Sequence, residues 1–159
     1  MLRSGVLRIV TTQSAKTEIR RAVPADSPAV EKLLASNDLP LDGVPEDLSG
    51  FLVAADDNRL VGVVGIEDCG DYGLLRSAAV DRDSRGLGIG RQLVERAIDD
   101  AKANRKKELY LLTTTAEKYF PNFGFEVTTR DSVPDSIRRT SEFTTACPAS
   151  ATLMKLDLG

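Results

Sequence analysis

The stretch Arg85-Gly86-Leu87-Gly88-Ile89-Gly90 constrains this chain more than any other. A β-rich segment, Tyr72 to Val80, leads into it, and Leu93, Val94, Ala97, Ile98 and Ala101 follow at helical spacing. Three alternating glycines at the start of a helix cost backbone entropy. Two readings account for that cost: a tight strand-to-helix turn with no ligand, or a backbone that comes close to an anion with helix N–H groups aimed at it. Spacing argues against two nucleotide sites. A P-loop needs Lys and Ser/Thr directly after its last glycine, and Gly90 is followed by Arg91-Gln92. A dinucleotide fingerprint needs G-x-G-x-x-G directly after a strand. Here the spacing is G-x-G-x-G, and Asp81 to Arg85 intervene.

The surrounding pattern predicts an α+β domain with a mixed, mainly antiparallel sheet and helices on both faces. Expected strands are Thr17–Val23, Gly50–Ala55, Leu60–Ile66, Tyr72–Val80, Leu109–Thr113, Phe125–Thr129 and Ala151–Leu158. The second to fourth form an antiparallel meander around turn-forming Asp56-Asp57-Asn58-Arg59 and Asp68-Cys69-Gly70-Asp71. Gly62 and Gly65 within it predict close approach by neighbours. Pro24-Ala25-Asp26-Ser27-Pro28 marks a helix start, with Asp26 or Ser27 as cap, and that helix runs to Ser36-Asn37. The connection Asp38–Ser49 has an apolar side (Leu39, Leu41, Val44, Leu48) that suits either a packed loop or a second short helix. Helices are expected again at Ala116–Asn122, closed by Gly124 as a left-handed cap, and at Asp131–Arg139. Residues 1–16 pattern weakly and read as an N-terminal extension to a single domain over 17–159.

Composition removes several chemistries. The 159 residues contain no histidine, which excludes Ser-His-Asp and Cys-His nucleophile systems and HExxH zinc sites. Proton transfer must use carboxylates, Tyr, Lys, Cys, water or backbone. Net charge is −3 and no strongly basic patch is present, so nucleic acid is not an expected partner. The basic run Asn104-Arg105-Lys106-Lys107 sits where a helix end carries negative partial charge. No apolar run spans a membrane and no secretory signal is evident, so the expected location is the cytoplasm. Cys69 and Cys147 then read as free thiols, with no metal site.

With Ala79-Val80-Asp81 before it, the glycine stretch resembles the acetyl-coenzyme A motif of the Gcn5-related N-acetyltransferases (GNAT family). Arg85, Gly88 and Gly90 fill the fixed positions of Gln/Arg-x-x-Gly-x-Gly/Ala. Ile19-Arg20 with Pro24-Ala25-Asp26, Leu60-Val61-Gly62, and Phe120 to Phe125 resemble the family's first strand and helix start, third strand, and Gly-Phe helix end. A narrower similarity joins Leu74-Leu75-Arg76-Ser77, residues 111–120, Asp131-Ser132-Val133-Pro134 and Cys147-Pro148-Ala149-Ser150-Ala151 to the acetyltransferases found with arsenic-resistance genes. A more distant one joins them to the acetyltransferase domain of N-acetylglutamate synthases.

This resemblance implies acetyl-CoA as co-substrate and a small-molecule amine as acceptor. The implied acceptor is the amino group of a small acidic amino acid or analogue, such as the organoarsenical glutamate mimic arsinothricin. It places the pyrophosphate on the amides of Arg85, Gly86, Leu87, Gly88, Ile89, Gly90 and Arg91. It places the pantetheine arm along Ala78, Ala79 and Val80, where a backbone N–H polarises the thioester carbonyl. Glu67 is the candidate base, with an exposed strand-end carboxylate as the plain alternative. Many family members carry a Tyr general acid five residues before the Phe of Gly-Phe, and that position is Phe120 here. Either a local irregularity recruits Tyr119, or the thiolate leaves unassisted, which is the favoured expectation. Arg76 is the first candidate for the acid groups, because an arginine in an apolar strand is costly unless paired. Arg138 and Arg139 come second, and Ser77, Thr113 and Thr114 offer hydroxyls. The alternatives are another amine acceptor (protein or aminoglycoside) and a non-catalytic coenzyme-binding sensor. The oligomeric state is open, a homodimer included.

Overall fold

The computed structural model describes residues 17–146 and 150–159. The expected extension over 1–16 and Cys147 lie outside the described residues. Seven strands form one sheet: β1 (Thr17–Arg21), β2 (Phe51–Asp56), β3 (Arg59–Cys69), β4 (Tyr72–Val80), β5 (Glu108–Thr113), β6 (Glu126–Val127) and β7 (Thr152–Asp157). Their spatial order is β1-β2-β3-β4-β5-β7-β6. Every neighbouring pair is antiparallel except β4 and β5, which run parallel. The helix α1 (Ser27–Ser36) connects β1 to β2, and α2 (Ile89–Ala103) makes the crossover between β4 and β5. A short α3 (Asp135–Arg138) lies between β6 and β7.

Strand alternation sorts the apolar residues onto two faces. The stripe Leu93, Val94, Ala97, Ile98 and Ala101 of α2 packs on Leu52, Val61, Val64, Leu75, Leu109 and Leu111. Gly62 permits this packing: a Cβ there would lie 2.8 Å from Leu93 Cδ1. On the opposite face α1 covers Phe51, Val53, Val63 and Ala79. Farther along, Ile137 of α3 packs with Leu74, Tyr110, Leu112 and Leu153.

Several local expectations are corrected. The connection 38–49 holds turns and no helix, although Leu48 within it is buried. The segment expected as a helix over 116–122 is a turn followed by a 3-10 helix, Phe120–Phe123, closed by Gly124 at φ 101°. Pro121 has no N–H to donate to an α-helical ladder. The segment 131–139 splits into a 3-10 turn, Arg130–Ser132, and α3, because Pro134 forces Val133 to be extended (φ −77°, ψ 145°). Asp26 does not cap forward onto α1. Its carboxylate accepts from Val23 N at 2.8 Å and receives both guanidinium branches of Arg20.

Two irregularities in β4 position everything that follows. Gly65 pairs with Arg76 and Val63 with Ala79, so Ser77 and Ala78 together face Val64 in a β-bulge. Ser77 there has φ +58°, a strained value for a residue with a Cβ. On its other side, β4 pairs with β5 only through Tyr72, Gly73 and Leu74. Beyond Leu74 the strands splay apart, although β4 runs on to Val80 and β5 to Thr113.

Candidate active site

A cleft of 510 Å³ lies where the splayed end of β4 meets the start of α2. Asn37, Ala78, Ala79, Val80, Ser84, Arg85, Gly86, Gly88, Ile89, Gly90, Arg91 and Tyr119 line it, which brings together nearly all of the glycine-stretch candidates. Gly88 is the N-cap of α2 at φ +82°, a left-handed conformation that costs an L-residue roughly 1–2 kcal/mol. The first helical hydrogen bond runs from Gln92 N to Gly88 O. The amides of Ile89, Gly90 and Arg91 therefore precede the ladder and have no partner within it. Gly90 has another reason to be glycine. A Cβ there would meet only Val80 Cγ2 at 3.4 Å and Tyr119 Oη at 3.6 Å, so the protein itself does not demand a bare Cα. Glycine inside a helix costs about 1 kcal/mol against alanine, and what it leaves free here is cleft. Unpartnered amides, a helix N-terminus and a bare Cα fit a pyrophosphate-bearing coenzyme.

Arg85 and Arg91 contribute less directly. Arg85 donates through Nη2 to Asn37 Oδ1 and through Nε to Val80 O at 3.3 Å, tying the loop to the end of α1. Arg91 is exposed and pairs with Glu95 at 3.3 Å. The side chain of Leu87 is largely exposed. Tyr119 is 40% exposed and faces this cleft, whereas Phe120 is buried against Phe123 and Phe125. The 3-10 turn thus supplies the irregularity that presents Tyr119. Burial raises the Tyr119 pKa, with Arg91 opposing and Glu95 assisting, so its phenol holds a proton throughout the neutral range.

A second cleft, of 630 Å³, lies beyond Arg76 on the same strand; Arg21, Gly43, Phe51, Glu67, Arg76 and Lys106 are among its lining residues. Arg76 is 3% exposed and each of its nitrogens has a partner. Nε donates to Ser77 Oγ at 3.1 Å and lies 3.2 Å from Glu142 Oε2. Nη1 donates to Glu67 Oε1 at 3.4 Å, and Nη2 donates to Asp42 O. The arginine therefore joins β3, β4, the 38–49 connection and the π-helical turn Glu142–Ala146. Glu67 and Arg76, nine residues apart on neighbouring strands, are brought together.

Other candidates fall outside. Thr113 Oγ1 accepts from Ala116 N at 2.9 Å and Thr115 N at 3.4 Å, and so shapes the turn after β5. Thr114 is exposed and lines neither cleft. Arg138 donates to the carbonyls of Arg130, Asp131 and Val133, which secures the segment before α3. Cys69 is a free buried thiol pushed up to about 11, by burial first and then by Glu67 and Asp68. Among the described residues no cluster of three or more His, Cys, Asp or Glu is placed to hold a metal, and no helix is long and apolar enough to cross a membrane. Sequence reasoning missed Asn37, Asp42 and Glu142. None carries a motif, and each meets its arginine at least 34 residues away in the chain.

Comparison with known proteins agrees with this fold. A model of the acetyltransferase (GNAT) domain matches residues 47–127, 81 of the 159 residues. Two amino-acid acetyltransferases of Neisseria meningitidis are 27% identical over 97 residues, 58% of this chain. The chain spans only 22% of the length of those relatives. The N-acetylglutamate synthase of Neisseria gonorrhoeae, solved with coenzyme A and N-acetyl-glutamate, superposes with a TM-score of 0.77 at 22% identity, covering 90% of this chain and 35% of that one. Rv2747 of Mycobacterium tuberculosis, solved with coenzyme A, gives 0.75 at 24% identity over 88% and 98% of the two chains. YhbS of Escherichia coli, also with coenzyme A, gives 0.65 at 23% identity over 91% and 82%. The family match, the mixed seven-stranded sheet and the glycine-lined cleft at its splayed strands lead to one conclusion: this chain belongs to the GNAT acetyltransferase family.

Proposed function

We propose that the chain transfers the acetyl group of acetyl-CoA to the amino group of a small acidic amino acid or analogue. One observation carries this reading: the buried Arg76 beside Glu67, two residues along β4 from the glycine-lined cleft. A cation for an acid group and a carboxylate for an amine proton sit together next to the donor cleft. The Neisseria gonorrhoeae synthase, with coenzyme A and an acetylated acidic amino acid in a similar fold, supports it. The finer reading, an organoarsenical glutamate mimic such as arsinothricin, rests on the similarity of residues 74–77, 111–120, 131–134 and 147–151 to the arsenic-resistance acetyltransferases.

Each residue then has a task. When bound, acetyl-CoA supplies an acetyl group activated as a thioester. The amides from Arg85 to Arg91 hold its pyrophosphate, and Gly90 leaves the room. A backbone N–H within Ala78–Val80, re-aimed by the bulge, donates to oxygen where negative charge develops. The Glu67 carboxylate takes the proton of the acceptor's ammonium. Arg76 and Ser77 receive its acid group. Tyr119 holds its proton at the cleft, on Oη, ready for the departing sulfur.

The test is release of free coenzyme A thiol across a panel of amines that includes glutamate and its phosphinic and arsinic analogues. Release with the acidic members is expected. No release with any amine, despite measured coenzyme binding, overturns catalysis and leaves a coenzyme-binding sensor. Release only with peptides or aminoglycosides moves the acceptor out of the acidic class.

A further inference from the structure

Buried polar atoms in a folded protein nearly always have hydrogen-bond partners, and an exception calls for a reason. The glycine-lined cleft contains one. Ser84 ends the 3-10 turn Arg82–Ser84, directly before the glycine stretch, and is 8% exposed. Its hydroxyl bonds to none of the described residues, and the residue opens onto the cleft. The other polar side chains that line this cleft differ. Asn37 accepts from Arg85 through Oδ1 and donates to Leu33 O through Nδ2 at 2.8 Å. Arg85 is tied to Asn37 and Val80 O, and Arg91 to Glu95. Tyr119 also lacks a protein partner, but at 40% exposure its hydroxyl is open to water. Ser84 is the one that is both buried and unpartnered. The turn does not need its hydroxyl. Main chain closes it: Asp81 N donates to Val61 O at 2.7 Å, and Ser84 N to Asp81 O at 2.9 Å. Alanine would keep both bonds and remove a polar atom that has nothing to bond, which in a free protein is a net gain.

We propose that Ser84 is a coenzyme-contact residue whose hydroxyl donates to a pyrophosphate oxygen of the bound coenzyme. This rests on the donor half of the function proposed above and is independent of the acceptor. The first-turn amides of Ile89, Gly90 and Arg91 are unpartnered donors on the same cleft, and what satisfies such a group is an anion. A hydroxyl that joins them suits the same anion, and its bond is strengthened by the acceptor's charge. Ser84 stands two residues before Gly86 and four before the left-handed Gly88, so one short segment supplies a side-chain donor and main-chain donors together. A hydroxyl with no bond in the free protein and one in the complex contributes to binding and nothing to folding.

The experiment pairs calorimetric titration of coenzyme A with thermal unfolding of the ligand-free protein, on wild type and Ser84→Ala. Ser84→Ala is expected to bind coenzyme A roughly tenfold more weakly, the loss of one hydrogen bond to a charged group, while its ligand-free melting midpoint holds or rises. A structural role predicts the reverse, and a lowered midpoint overturns the proposal. Phosphorus NMR of the two saturated complexes locates the contact: the pyrophosphate resonances should move between wild type and Ser84→Ala while the 3′-phosphate resonance stays. Weaker binding with unmoved pyrophosphate resonances overturns the proposal and assigns the hydroxyl to another part of the coenzyme. If wild type does not bind coenzyme A, the donor reading falls and Ser84 with it. If wild type and Ser84→Ala bind it equally, the assignment of Ser84 alone falls.

Discussion

The two clefts on β4 are built from different material. The glycine-lined cleft is made of backbone: a left-handed Gly88, first-turn amides and the bare Cα of Gly90. The Arg76 cluster is made of side chains from four chain segments, Glu67, Ser77, Glu142 and the carbonyl of Asp42 gathered on one guanidinium. A backbone site tolerates most side chains and depends on where glycine stands. A side-chain site depends on the charges it gathers, and removing the shared guanidinium leaves the rest without it. Under the proposed function the same division separates their tasks, since a donor common to a family suits a backbone cradle, and an acceptor that differs between members suits replaceable side chains.

That contrast is tested most severely at Arg76. Arg76→Ala should cost about 3–5 kcal/mol of folding stability, because it leaves the buried Glu142 and the half-buried Glu67 without their cation. Denaturant unfolding of the variant measures this, and a loss below 1 kcal/mol would show the cluster to be dispensable. Glu67→Gln should leave the fold and coenzyme binding intact while lowering kcat by roughly 10²–10⁴, the usual range for a lost general base. An unchanged kcat returns Glu67 to an ordinary strand-end carboxylate. Gly90→Leu addresses the other cleft. Leucine suits a helix, so melting should not suffer, while the filled cleft weakens coenzyme binding by roughly 100-fold, equivalent to the overpacking cost of a few kcal/mol. Normal coenzyme binding by that variant would refute the placement of the pyrophosphate. Tyr119→Phe should lower kcat by about tenfold, less than the loss at Glu67, because a thiolate is already a tolerable leaving group. A raised coenzyme KM with constant kcat would assign Tyr119 to binding instead.

The smallest effect lies away from both clefts. Arg20 holds Asp26 below the usual carboxylate range, chiefly by hydrogen bonding, with burial opposing. A depressed pKa contributes stability that is complete above the ordinary aspartate value near pH 4 and is lost as pH falls through the lowered value. Acid titration of Asp26→Asn should show a shallower loss of stability below about pH 4 than wild type, with coenzyme binding at neutral pH unaltered.

The division between backbone and side chain also governs what the sequence discloses. Alternating glycines announce a demand on main-chain conformation at their own positions, so the glycine-lined cleft was legible in the chain. Apolar period and turn residues likewise located all seven strands and the long α2. Arg76 stood out because an arginine in an apolar strand needs a partner, but nothing local names that partner. Glu142 and Asp42 reach it only through the closed fold. The bulge at Ser77-Ala78 carries no glycine to mark it, and its φ is imposed by the register of β3 against β4. The turn that presents Tyr119 was misread as a regular helix, since Pro121 and a hydrophobic run are compatible with either until packing of Phe120 decides.

The short pairing of β4 with β5 has a consequence beyond catalysis. With three rungs between them, β1–β4 and β5–β7 are two plates joined along a seam that is complete at one end and open at the other. Beyond those rungs the two halves are held by α2 and its apolar contacts, by α3 packed against Leu74, and by Glu142 on Arg76. Any molecule that lies along the open seam and bonds to both edges is a staple between the plates. Its binding energy then adds to global stability, and the melting midpoint climbs with the logarithm of its concentration. A ligand of that kind would leave the chain least stable where the ligand is scarce.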